Sequence, residues 1–203
     1  GGDIDTYATL FQPPAALQGK IGMFKSGDEV IGMALIYLGL EQCNESPEDM
    51  KKVLALLQGQ KPHVKVYNSD GILERLVSGD TAAHTNWNGY SQRARKEKAT
   101  LKYAYPREGV TTWFDSLAVP KGARNHENAK KFITFMLRPE NAAIQSNFAG
   151  YSNGIKDSAQ SLTEEMRKAP EMNPPADMKP VFTASCSEAS IKLSDRVWTK
   201  LMQ

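Results

Sequence analysis

Across residues 20–106, short β-type runs take turns with helical runs, and this alternation restricts the chain to a layered α/β architecture. KIGMF (20–24) reads as a strand. Ser26-Gly27-Asp28 then offers N-cap chemistry to EVIGMALIYLGL (29–40), an apolar-periodic helix ending near Gly39. PEDMKKVLALLQGQ (47–60) is a second helix, with Ser46 as N-cap, Pro47 at the first position and acids in the first turn. VKVYN (64–68) is a strand, SDGILERLVSGD (69–80) a short helix stopped by Gly79, and AAHTNW (82–87) a short strand. GYSQRARKEKA (89–99) is a helix and LKYAYP (101–106) a further strand.

After Pro120 the pattern changes. HENAKKFITFMLRPENAAIQSNFAG (126–150) reads as two helices broken at Pro139, KAPEMNPPADMKP (168–180) as irregular, and EASIKLSDRVWTKLM (188–202) as an amphipathic helix. No sheet remains to cover these helices, so the chain is read as lacking part of a second lobe. REGVTTWFDSLAVP (107–120) lies at the join, and its β-branched and aromatic residues predict a strand over 110–119. Asp115 sits within that run, and a carboxylate there is costly to bury unless a cation or donor meets it.

Composition narrows the function. The 203 residues are 40% hydrophobic and 24% charged, as in an ordinary globular protein, and the net charge of +2 is too small for a nucleic-acid surface. RARKEK (93–98), the densest basic cluster, reads as a solvated helix face. No apolar run approaches the roughly 18 residues of a membrane span. Gly1-Gly2-Asp3 lacks a signal peptide's basic start and apolar stretch, which leaves a cytoplasmic chain, a processed one or a fragment. Cys43 and Cys186 match no zinc or redox spacing, and His63, His84 and His126 are isolated. Structural roles are expected for all five, with no metal and no cofactor. Whether Cys186 pairs with a cysteine outside this sequence is left open.

Four features place an acid or an aromatic at a strand end or a helix start, the positions that form the ligand crevice of open α/β sheets. Glu29 lies in the first turn of its helix. Trp87 ends a strand, and Asn88-Gly89 turns the chain into the next helix. Trp113 and Asp115 are two apart and would share one face of a strand. Tyr151 sits in FAGYSNG (148–154), a turn after a helix. Each has a plain structural reading too: dipole stabilisation for Glu29, core packing for the rings, backbone hydrogen bonds for Asp115. Together they make an aromatic box with acidic walls. Such a box suits an amine cation, attracted to each ring by about 0.5–2 kcal/mol and paired by carboxylates. A glycosidase pair of Glu29 and Asp115 is the enzyme alternative. No nucleophile elbow, Walker A or dinucleotide fingerprint is present.

At these residues the sequence resembles the periplasmic putrescine/spermidine-binding receptors of ABC importers. The matching stretches are KIGMFKSGDEVIGMALIYLGL, ILERLVSGDTAAHTNWNGYSQRARKE, PREGVTTWFDSLAVPKGARNHENAKKFITFMLRPENAA and GYSNGIKDS, with MKPVF and RVWTKL near the end. The run 109–139 is the most specific. The resemblance implies a two-lobed α/β fold with a hinge, a ligand cleft between the lobes, a permease partner and a periplasmic location. It also implies that an N-terminal part of the first lobe is missing here. Residues 1–114 would be the second lobe, and 115–203 a hinge strand and the C-terminal helical part of the first. Carried over, Glu29 and Asp115 face an amine, and Trp87, Trp113 and Tyr151 supply the box.

One position departs from the resemblance. Family diamine receptors commonly have Trp-x-Gly-Asp, and here Trp87-Asn88-Gly89-Tyr90 puts a neutral hydroxyl where a carboxylate is expected. That favours a ligand cationic at one end only, such as 4-aminobutyrate or another ω-amino acid, over putrescine. Arg93, one turn later, either helps a carboxylate or points to solvent. A split or sensor-derived engineered fragment, hinted at by Gly1-Gly2, is a further alternative.

Overall fold

The computed structural model describes residues 4–182 and 185–203. Its core is built on β1 (Ile21–Met23), the middle strand of a parallel three-stranded sheet in the order β2-β1-β3, with β2 (Val64–Tyr67) and β3 (Ala83–His84) on its flanks. Parallel strands need crossover helices, which bury the middle strand, and Ile21 and Met23 are fully buried. The crossovers are α2 (Gly27–Tyr37) and α3 (Pro47–Gln60) between β1 and β2, and α4 (Ile72–Ser78) between β2 and β3. α2 is apolar nearly all round, with the seven residues 30–36 all buried. α3 starts where expected, with Pro47 at N1 and Ser46 Oγ accepting from the Asp49 backbone N–H at 3.2 Å. Ser26 makes no such side-chain cap for α2. α5 (Asn88–Glu97) follows β3, and the short α1 (Ala8–Phe11) inserts Phe11 into the core.

Of two expected strands, one is not formed and the other is formed only in part. Residues 101–106 join no ladder; Tyr103 and Tyr105 instead pack edge-to-face at 5.0 Å. Among the described residues, the run 110–119 is a strand only at β4 (Val110–Thr112), paired with β5 (Pro180–Phe182). β5 itself falls in a stretch read as irregular; Pro180 at its first position is where an edge strand tolerates proline.

The two helices read over 126–150 are α6 (His126–Met136) and α7 (Pro139–Ala149). α6 buries no residue, and Phe132, Phe135, Leu137, Ile144 and Phe148 on this pair are about half exposed or more. A short α8 (Glu164–Lys168) follows, capped by Thr163.

The last helix, α9 (Glu188–Met202), corrects an expectation. It was grouped with 126–150 as a helix without cover, but it packs on α2 and α3. Val197 and Leu201 are buried in the core that β1, α2 and α3 share. Its start is fixed by Ser187, which caps the Ser190 N–H at 3.2 Å, and by a Cys43–Cys186 disulfide spanning 143 residues of sequence. That pairing settles within the chain what the sequence left open for Cys186.

Candidate ligand-binding site

β1 and β3 are adjacent and parallel, so the turns that follow them open at the same end of the sheet. The turn after β1 leads into α2 and puts Glu29 in its first helical turn; the turn after β3 leads into α5 with Trp87 as N-cap. Both helix starts therefore converge on one crevice. Trp87 Nε1–H donates to Glu29 Oε1 at 2.8 Å, which locks ring and acid together. Phe24, the residue after β1, stacks on Trp87 at 4.7 Å and 23° and fixes the plane of the indole. Partial burial raises the Glu29 carboxyl above its ordinary pKa, and the Trp87 hydrogen bond pulls against that rise.

Tyr90 and Arg93 continue the same face of α5. The Tyr90 ring meets Trp87 at 5.7 Å, and the Arg93 guanidinium carbon lies 4.1 Å over Tyr90. Tyr151 comes in from the other side, directly after α7. Gly150 takes φ +80°, and a Cβ there would stand 2.8 Å from the Gly89 carbonyl oxygen. A Cβ on Gly89 would stand 2.4 Å from the Tyr151 ring. The facing glycines let the end of α7 dock on the start of α5 and seat Tyr151 against the cluster. Burial raises the Tyr151 phenol, with Arg93 lowering it and Tyr90 and Asp115 raising it. Gly89→Ala is expected to expel the Tyr151 ring, leaving the α5 fold intact by circular dichroism while changing Tyr151 accessibility in chemical modification.

Five of the seven predicted site residues thus form one cluster: Glu29, Trp87, Tyr90, Arg93 and Tyr151. Asp115 is exposed and reaches the cluster electrostatically through Tyr151. Trp113, 41% exposed, makes no ring, hydrogen-bond or ion-pair contact with the others. Both lie beyond the end of β4, so they do not share a strand face as the sequence suggested. Phe24, Gly89 and Gly150 were missed. Phe24 ends the KIGMF run at the crevice, which was the signal for it.

Residues 3–174 match the family described as bacterial extracellular solute-binding protein. The chain belongs to that family. Among its relatives, spermidine/putrescine-binding periplasmic protein 1 of Haemophilus influenzae is 31% identical, over 88% of this chain and 49% of its own length. The putrescine-binding periplasmic protein SpuD of Pseudomonas aeruginosa is 28% identical, over 98% and 57%. The solved structure of a putative spermidine/putrescine ABC transporter from Listeria monocytogenes superposes with a TM-score of 0.88 at 26% identity, covering 99% of this chain and 62% of that one. The PotD substrate-binding protein of Streptococcus pneumoniae, at 22% identity and TM-score 0.81, shares the fold. This solute-binding protein spans about half the length of the curated relatives it matches. The two-lobed α/β assignment stands, as part of that fold. The matched relatives are binding proteins, so the enzyme reading of Glu29 and Asp115 finds no support.

Proposed function

We propose that this chain is part of a periplasmic receptor that binds a small amine-bearing solute between two lobes and delivers it to the permease of an ABC importer. Residues 4–114 with α9 would form one lobe, and residues 115–182 would belong to the other, completed by an N-terminal segment outside this sequence. The half-exposed apolar residues of α6 and α7 support a missing cover. Hinge closure would bring the second lobe over the cluster, with ligand contacts to both lobes favouring the closed state.

The observation that carries this reading is the Glu29–Trp87 hydrogen bond, backed by Phe24, at the mouth where two strand-to-helix turns converge. It fixes a carboxylate at the N–H edge of an indole ring, and an acid next to an aromatic is the pairing an ammonium group needs. Glu29 and Asp115 would hold the ammonium, and Trp87, Trp113 and Tyr151 would box the alkyl chain. In the complete receptor, Asp115→Asn is expected to weaken amine binding tenfold to about a hundredfold, since a hydrogen bond to a charged group contributes about 1.5–3 kcal/mol. A tryptophan-fluorescence titration with putrescine and 4-aminobutyrate reads this directly. Unchanged affinity for both in the variant would sink the assignment of Asp115.

A further inference from the structure

We infer that Arg93 receives a carboxylate, so that the site takes a small zwitterion, an ω-amino acid with its ammonium at one end and its acid at the other. This rests on the receptor reading and names its ligand class.

α5 and its C-cap carry four cations, Arg93, Arg95, Lys96 and Lys98. Arg95 Nε is paired with Glu171 at 2.6 Å, and Lys96 with Glu165 at 3.3 Å. Lys98 Nζ donates to the carbonyls of Leu76 and Val77 at 3.3 and 3.0 Å. Arg93, on the crevice side, has no carboxylate within ion-pair distance among the described residues, and its Nε–H is buried without a hydrogen-bond partner. The contact with the Tyr90 ring restrains the guanidinium but satisfies none of its N–H donors. A forked donor set, held in one orientation and left unpaired beside an aromatic cluster, matches the planar two-oxygen acceptor of a carboxylate.

The rest of the cluster has the opposite sign. Glu29 is tied to Trp87, Trp87 abuts Tyr90, and Tyr90 underlies Arg93, so the row runs from an acid to a base. Arg93 and Asp115 both act electrostatically on Tyr151, with opposite signs. A diamine lying along this row would bring its second ammonium against a fixed guanidinium, and like charge there selects against it.

The test uses the complete receptor, its Arg93→Gln and Arg93→Lys variants, and calorimetric titration with 4-aminobutyrate and putrescine near neutral pH. The wild type is expected to bind 4-aminobutyrate at least tenfold tighter than putrescine. Arg93→Gln should lose 4-aminobutyrate affinity by about thirtyfold or more while putrescine affinity holds or rises; Arg93→Lys, with charge but no fork, should fall between. Tighter binding of putrescine by the wild type would overturn the zwitterion and leave the receptor reading standing. Equal losses for both ligands in Arg93→Gln would make Arg93 a structural residue and overturn its role. Binding of neither ligand by the wild type would overturn the amine reading together with this one.

Discussion

Replacing Cys43 and Cys186 together by alanine is expected to lower the unfolding free energy by several kcal/mol, the largest effect of any small change in this chain. The bridge closes a loop across 143 residues, for which chain entropy alone gives about 5 kcal/mol, an upper figure because the open denatured chain retains some structure. The loss is local as well as global. Cys186 stands just before the Ser187 cap, so the bridge holds the start of α9 against the connection between α2 and α3. Denaturant unfolding of the paired variant under oxidising conditions checks the first part. Hydrogen exchange checks the second: α9 amides should lose protection ahead of those in β1. Equal midpoints for variant and wild type would show that α9 docking is set by Val197 and Leu201 alone.

Glu171 is the second sensitive position. Its side chain is fully buried, and both carboxylate oxygens accept from Arg95, at 2.6 and 3.4 Å. Its backbone carbonyl accepts from the Tyr105 hydroxyl at 2.7 Å and from Asn88 Nδ2 at 3.5 Å. One residue therefore ties α5, the 101–106 segment and the stretch after α8. Removing one partner of such a pair strands the other, and Glu171→Ala is expected to cost about 3 kcal/mol, the low end of the usual range because Arg95 is partly exposed and can reach water. Glu171→Gln keeps acceptor geometry at one oxygen and should cost less. Unfolding midpoints rank the two; equal costs would mean that packing rather than the ion pair matters. Since Asn88 opens the helix that carries Tyr90 and Arg93, ligand affinity should fall along with stability.

How much of this was readable beforehand depended on how local the signal was. α3 was legible to the residue because Ser46, Pro47 and the acids after it fix a helix start without reference to anything else. Glu29 and Trp87 were legible as openers of two strand-to-helix turns because those turns are local too. The strand over 110–119 was misread because Val, Thr, Trp and Phe report a preference for a pleated surface, not the presence of a partner, and among the described residues only Val110–Thr112 pair. α9 was recognised as amphipathic, but periodicity says which face is apolar and not which surface receives it. The shared strand face of Trp113 and Asp115 followed from that misread strand. The Gly89–Gly150 approach had no sequence signal, since it joins two helix ends far apart in the chain.

The placement of α9 has a consequence for how such a chain matures. Residues from Tyr7 to Ile72 supply most of the first core, yet that core is not closed until Val197 and Leu201 arrive. A ribosome working from the amino end therefore delivers an open sheet long before its lid helix exists, and Cys43 waits as a thiol for Cys186. Until that helix is made, the apolar residues it covers stay open to solvent.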